Sequence, residues 1–447
     1  MSGVRPATAA TRGGEVLDAL RALPGGAELL ALGEGGAELA LVGGAVRDLL
    51  LGRAPRELDV VVAGDAAALA RELVARLGAS AGQPSSAGQP SSVGQPPSAT
   101  LHDRFGTAML QWEGGRVDIA ERRAESYPAP GALPEVRPGT AEEDLARRDF
   151  TVNAIAVALG GARGGELTCA DHALEDLDAG RLRVLHARSF IDDPTRLLRL
   201  ARYRARLGFE LEPGTAALAA AALQQGALMT VSRARIGAEL RLALGEDGAP
   251  AALQSMSDLG VLAALPAGLR FDRDLAERAL ALLPPDGRAD LLLMASLLLH
   301  LTMLRAQDPE PMIFGILDEL EFTAADRECA LRSALAAPSL VTAMTLAARP
   351  SELRDALRAH TPEAIALAGA LAQESSPRAA DAAREWFEHV RGVRLRINGD
   401  DLIAAGVAPG PEIGRRLTRA LARKLDGELH DGRDAELRAA LEATVEG

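Results

Sequence analysis

Three carboxylates carry the strongest chemical signal in this sequence: Glu57 and Asp59 in RELDVVVAG, and Asp118 in GRVDIAERR. The side-chain period of a strand is two, so Glu57 and Asp59 return to one face. Two acids there repel each other unless they face water or share cations. If the strand bearing Asp118 lies alongside, three carboxylates can converge on one or two magnesium ions (Mg2+), which also bind phosphate oxygens. One ion would help activate a ribose hydroxyl, and the other would hold a triphosphate and its leaving pyrophosphate. No histidine cluster is needed for that chemistry. Just upstream, LVGGAVRD places Gly43 and Gly44 where backbone N–H groups can approach a triphosphate, since neither carries a side chain. Arg47 supplies a charged donor near the same turn. Asp48, beside it, fits a structural contact to that arginine or to the backbone.

These residues need elements to hold them. ELALVGG reads as a strand entering a glycine turn, followed by the helix AVRDLLLG. LDVVVAG reads as a second strand, leading to the helix DAAALARELVARLG. FGTAMLQWEGGRVDIAERR reads as two short strands joined by a glycine-containing turn. Together they form a compact mixed α/β unit. Within Ala81–Pro97 the chain repeats AGQPSS, AGQPSS and VGQPP, read as a flexible surface insertion. After Leu182 the pattern is helical, with Pro250, Pro266, Pro284–Pro285, Pro309, Pro311, Pro338 and Pro350 as punctuation between helices.

Composition narrows the class. The 447 residues are 48% hydrophobic and 25% charged, a folded chain long enough for two to four domains. No signal peptide is evident, and no apolar stretch reaches bilayer-spanning length; Leu291–Leu301 comes nearest. Cys169 and Cys329 are the only cysteines, too few for a disulfide framework or a cysteine-only metal site. A cytoplasmic protein without a membrane is expected. The formal charge of −13 argues against nonspecific nucleic-acid binding, but local potential decides a phosphate contact. RLRVLHARSFIDDPTRLLRLARYRAR, from Arg181 to Arg206, holds eight arginines and two acids. It can hold an anionic substrate or form a solvated helix face.

The ordered set GGAVRD, ELD, VDIA, RRDFTVNAIA and DDPTRLLR resembles the class II tRNA nucleotidyltransferases, which are grouped with bacterial poly(A) polymerases. The family's catalytic pair is two aspartates, whereas this chain has Glu57 and Asp59; Asp118 falls at the third carboxylate position. The resemblance implies an α+β fold, a mixed-sheet nucleotidyltransferase head followed by an all-helical neck, body and tail. The expected divisions are a lead-in at 1–30, a head at 31–165 with the insertion at 80–100, a neck at 166–245, a body at 246–345 and a tail at 346–447. Gly43, Gly44 and Arg47 match the family's glycine-rich turn. Arg147, Arg148, Asp149, Thr151 and Asn153 match its nucleotide site, although Asp149 or Thr151 could instead cap a helix. Asp193 and Arg196 match its base-reading pair, with Asp192 standing for the usual glutamate. An aspartate accepts from an exocyclic amino group while an arginine donates to a base acceptor, a pattern that cytosine and adenine share. Arg199 and Arg202 follow on the helix face as phosphate contacts, the latter toward RNA. Arg233, Arg235 and Glu239 brace helices. RLRINGDDLIAAGVAPGPEIGRRLTRALARKLDGEL matches a bacterial tail signature, where Arg415, Arg416, Arg419, Arg423 and Lys424 would position RNA. The implied activity adds CMP, AMP or both from CTP and ATP to the 3′ end of tRNA, without a template and with no obligate protein partner. CC-adding, A-adding and poly(A)-adding variants share the architecture, and Glu57 also motivates a catalytically weakened RNA-binding protein.

Overall fold

A computed structural model describes residues 9–81, 98–102, 106–265, 268–302, 308–373, 375–430 and 432–442. The AGQPSS repeat and Pro266 lie outside the described residues. The chain divides between Val231 and Ser232 into two compact units.

The first unit is built on a seven-stranded mixed sheet. Its strands are β1 (Leu39–Val42), β2 (Leu58–Val62), β3 (Ser98–His102), β4 (Thr107–Trp112), β5 (Gly115–Glu121), β8 (Ile155–Ala158) and β9 (Leu167–Cys169); a separate hairpin holds β6 (Arg123–Ser126) and β7 (Glu135–Pro138). The spatial order is β3-β4-β5-β2-β1-β8-β9. β4 and β5 form the expected hairpin across Glu113–Gly114, with Gly114 at φ 92°, a conformation that favours glycine. β2 and β5 run parallel, with Asp59 directly opposite Asp118. Val117 and Ile119 are buried and alternate with Asp118, so β5 has one apolar face and one polar face. The helix Ala66–Ala81 packs on β3, β4 and β5 through a stripe that includes buried Leu69, Leu73 and Leu77. Ala40, Val42, Val61, Leu145, Ala154 and Ala156 form a buried cluster whose strand residues lie on the same face of the sheet as Asp59. β8 and β9, which complete the sheet beyond β1, had no sequence assignment because the short IAVA and LTC runs follow the polar RRDFTVN segment.

The second unit is helical. Ala289–Thr302 is apolar on nearly every side, as a central helix must be. It packs against Ala324–Leu346, which in turn packs on Pro362–Ala372. Pro250, Pro309 and Pro350 sit in the first turn of their helices, where a missing N–H costs nothing. Pro338 does not: it lies inside Ala324–Leu346, correcting its reading as punctuation. Buried Ala334, Ala337 and Leu340 on either side of it hold the helix through tertiary packing. That same helix is long and apolar enough, by length and composition, to cross a bilayer, which corrects the expectation that no segment reaches that length. Arg332 interrupts the apolar run without ending the helix, and the buried face from Ala330 to Met344 makes it a core element of this unit.

Candidate active site

The site begins with register. Asp59 on β2 and Asp118 on β5 are paired across parallel strands, and Glu57 stands one residue before β2 begins. Carboxylate oxygens of the three residues lie within 4.8 Å of one another. These are hard oxygen donors, grouped tightly enough to share one divalent cation. Burial, followed by the charge of Glu57, pushes the Asp59 carboxyl up to about 7; Arg148 opposes the rise and Asp118 adds to it. Such crowding of negative charge is what a bound cation would relieve. The donor set therefore fits a divalent metal.

Asp59 and Asp118 open onto a cleft of about 400 Å³ whose lining also includes Val42, Met109, Arg147 and Arg148. Both arginines are anchored by one acid that the sequence reading passed over. Asp144, nearly fully buried, accepts from Arg147 Nη2 at 2.8 Å and from Arg148 Nη2 at 3.0 Å. Burial alone would raise its pKa, but the two guanidinium charges hold it below the usual carboxylate range. Its position three and four residues before the arginines was a readable helical signal. Arg147 also donates to Glu125 Oε1 at 3.1 Å. Arg148 runs close over the glycine turn: a Cβ on Gly43 would lie 2.6 Å from Arg148 Nη1, and Gly43 has φ 70°. The first glycine is thus needed for close approach, as expected, but the approaching group is an arginine. The Gly43 N–H does not face a ligand, because it donates to Ile155 O at 2.9 Å and so joins β8. Gly44 opens the helix Gly44–Leu50.

Beyond the turn lies a buried polar network. Arg47 is 1% exposed and donates to Asp48 Oδ1 at 2.7 and 2.8 Å and to Asn153 Oδ1 at 2.5 Å. Its Nε and both terminal nitrogens thus donate to protein groups, and Asp48 has the structural role expected of it. Asn153 Nδ2 donates to Asp149 Oδ1 at 2.9 Å, and Arg199 reaches Asp149 Oδ2 at 2.7 Å. Asp149 caps no helix: residues Thr151–Asn153 form a single 3-10 turn without a side-chain cap, and Thr151 Oγ1 donates to Asp176. Burial works to raise the Asp149 pKa, but Arg199 and Asn153 overcome it and bring it to about 2. Tyr203 sits among three guanidinium groups, with Arg47, Arg199 and Arg202 at 5.3, 5.5 and 5.1 Å from its ring centre. Arg202 is buried and does not form a solvated surface.

The helix Thr195–Leu207 carries the other matched pair. Arg196 is buried and donates to Ser189 Oγ and to the Arg147 carbonyl, each at 2.7 Å. That second bond ties the helix to the cleft wall. Asp193 accepts from the Thr195 N–H at 3.1 Å and its hydroxyl at 2.6 Å, holding the helix start. Asp192 pairs with Arg188. Tyr127, also unassigned from sequence, is pushed up to about 12 by burial, with Arg196, Glu125 and Asp193 all acting on it.

In the second unit, the tail cations are mostly paired locally. Arg415 and Arg416 both meet Glu412 at 2.9 Å, and Arg423 meets Glu428 and Glu442 at 3.3 Å. Lys424 donates to buried Glu436 at 2.6 Å and to Arg394 O. Arg419 is exposed.

Residues 39–89 and 92–183 match the family model described as the poly A polymerase head domain. Over 412 residues the chain is 31% identical to a CC-adding tRNA nucleotidyltransferase of Deinococcus radiodurans, covering 91% of this chain and 89% of that protein. The chain belongs to the tRNA nucleotidyltransferase family. It is also 32% identical to an A-adding tRNA nucleotidyltransferase of Geobacter sulfurreducens, over 92% of this chain but 46% of that protein. This chain spans about half the length, or less, of the first A-adding relatives it matches. Among solved structures, a Thermotoga maritima CCA-adding enzyme in complex with tRNA is similar at a TM-score of 0.72 and 26% identity, covering 96% of this chain and 97% of that one. The mixed-sheet head and helical remainder expected from the family motifs are the architecture found.

Proposed function

We propose that this nucleotidyltransferase adds CMP, AMP or both from CTP and ATP to the 3′ end of tRNA, building or repairing the CCA terminus in the cytoplasm. The observation that carries the reading is the meeting of Glu57, Asp59 and Asp118, the last two of which line a cleft together with Arg147 and Arg148. Relatives solved with tRNA and with CTP support the substrate class. A divalent metal, magnesium in this reading, would be held by the three carboxylates and would supply charge stabilisation for the transferring phosphate. The RNA 3′-oxygen attacks the α-phosphorus in line and gives up its proton to solvent water. The new O–P bond forms as the α–β phosphoanhydride bond breaks, and pyrophosphate leaves. Arg148, held over the glycine turn, would face phosphate oxygens. Asp193 and Arg196 would select the base, and loss of each polar pairing would cost about 1–3 kcal/mol of discrimination.

One observation favours a narrower second reading. Three relatives at 32%, 40% and 36% identity are all A-adding enzymes, which supports addition of the terminal adenosine alone. Incorporation on tRNAs truncated before each CCA nucleotide, with CTP, ATP or both and the products sequenced, separates the two. Extension only of tRNA ending in CC, and only with ATP, selects the narrower reading; no extension of any substrate rejects both.

A further inference from the structure

We propose that Arg116 is an exchangeable counter-ion of the carboxylate triad, holding the acids together until a divalent cation displaces it. The idea rests on the metal-binding reading above. Arg116 lies two residues before Asp118 on β5, so alternation puts both side chains on the cleft face. Its Nε and Nη2 donate to the two Asp118 oxygens at 3.2 and 2.7 Å, and Nε lies 3.4 Å from Glu57 Oε2. Among the described residues, its hydrogen bonds and ion pairs go to the triad alone.

Two features separate it from the other cleft arginines. Arg147 and Arg148 are fixed by Asp144, whose side chain is 2% exposed, and are themselves only 17% and 16% exposed. Arg116 is 44% exposed and is held by Glu57 and Asp118, which are 43% and 30% exposed. It can leave without breaking a buried contact. A guanidinium and a divalent ion held on the same carboxylates repel each other, so each weakens the binding of the other.

Competition of this kind has a signature that a purely structural arginine lacks. Manganese binding to the full chain without nucleotide is followed by electron paramagnetic resonance, and melting is measured with and without the ion. Arg116→Gln should bind manganese about threefold to tenfold more tightly, the range expected from removing two solvent-exposed ion pairs. Its metal-free melting temperature should fall, while the metal-saturated value stays near that of the parent. Arg116→Lys, which keeps the charge, should lie between the two. Equal or weaker manganese affinity in Arg116→Gln overturns the proposal, as does an equal loss of stability with and without the ion. If manganese binding to the parent survives Asp59→Asn unchanged, the triad is not the metal site and the underlying reading fails with it. Should Arg116→Gln not fold, Arg116→Lys decides alone, since unchanged affinity there also counts against exchange.

Discussion

Asp59 is charged at a cost to the fold. Its carboxyl is half-buried beside Glu57 and opposite Asp118, and its raised pKa of about 7 means that the folded state disfavours the ionised form. Stability linked to this group is present at low pH and is lost as pH rises through 7. Asp59→Asn should therefore raise the metal-free melting temperature at pH 8 while lowering nucleotide incorporation by at least about a hundredfold, given the several kcal/mol a metal site supplies. Asp149 has the opposite sign. Its folded pKa of about 2 lies below the ordinary 3.8, so its contribution is present above about pH 4 and is lost as pH falls toward 2. That shift corresponds to roughly 2 kcal/mol. Denaturant unfolding of the parent and Asp149→Asn should show a stability gap near that size at pH 6 which closes by pH 2. Much of the residue-level chemistry was legible because alternation in short strands is a local rule: ELD and VDI announced a shared face. Arg116, two positions from Asp118, lies on that face by the same rule but was not singled out from the sequence. Burial of Arg47 and Arg202 was not legible, because it depends on Tyr203 and on a helix more than 150 residues along the chain from Arg47.

At the scale of elements, the strands that carry the acids were readable and their pairing was not. Register between β2 and β5 is set by the intervening helix and hairpin packing together, and no local pattern reports it. The tail helix Pro411–Leu425 shows a second limit. Its row of cations reads as an RNA-binding surface, yet Glu412, Glu428, Glu436 and Glu442 take most of those charges. Partners supplied by the following helix were invisible in the positive run alone. Lys424→Ala leaves Glu436, which is 1% exposed, without its ammonium partner and should destabilise the protein by roughly 3–5 kcal/mol in thermal or denaturant unfolding. Arg419→Ala should leave stability within about 0.5 kcal/mol while weakening tRNA binding and lowering its salt dependence.

The whole molecule is two units with separate cores, one around the sheet and one around Ala289–Thr302. Calorimetry should resolve two transitions, since independent cores need not unfold together. Divalent cation with CTP should raise only the transition of the unit ending at Val231, because a ligand stabilises the part that binds it. A shift of both by the same amount would show that the units unfold as one. The helical second half was legible from Ala- and Leu-rich periodicity, although Pro338, read as punctuation, lies inside the helix Ala324–Leu346.

The pairing of Asp59 with Asp118 makes the chemistry depend on parity. One residue inserted into β5 ahead of Asp118 would turn that acid toward the apolar layer and bring a hydrophobic neighbour into the cleft, with the sheet otherwise intact. Two inserted residues would restore the face but carry the acid about 7 Å along the strand. Changes in chain length can therefore accumulate in the tip between β4 and β5, but not between that tip and the third carboxylate.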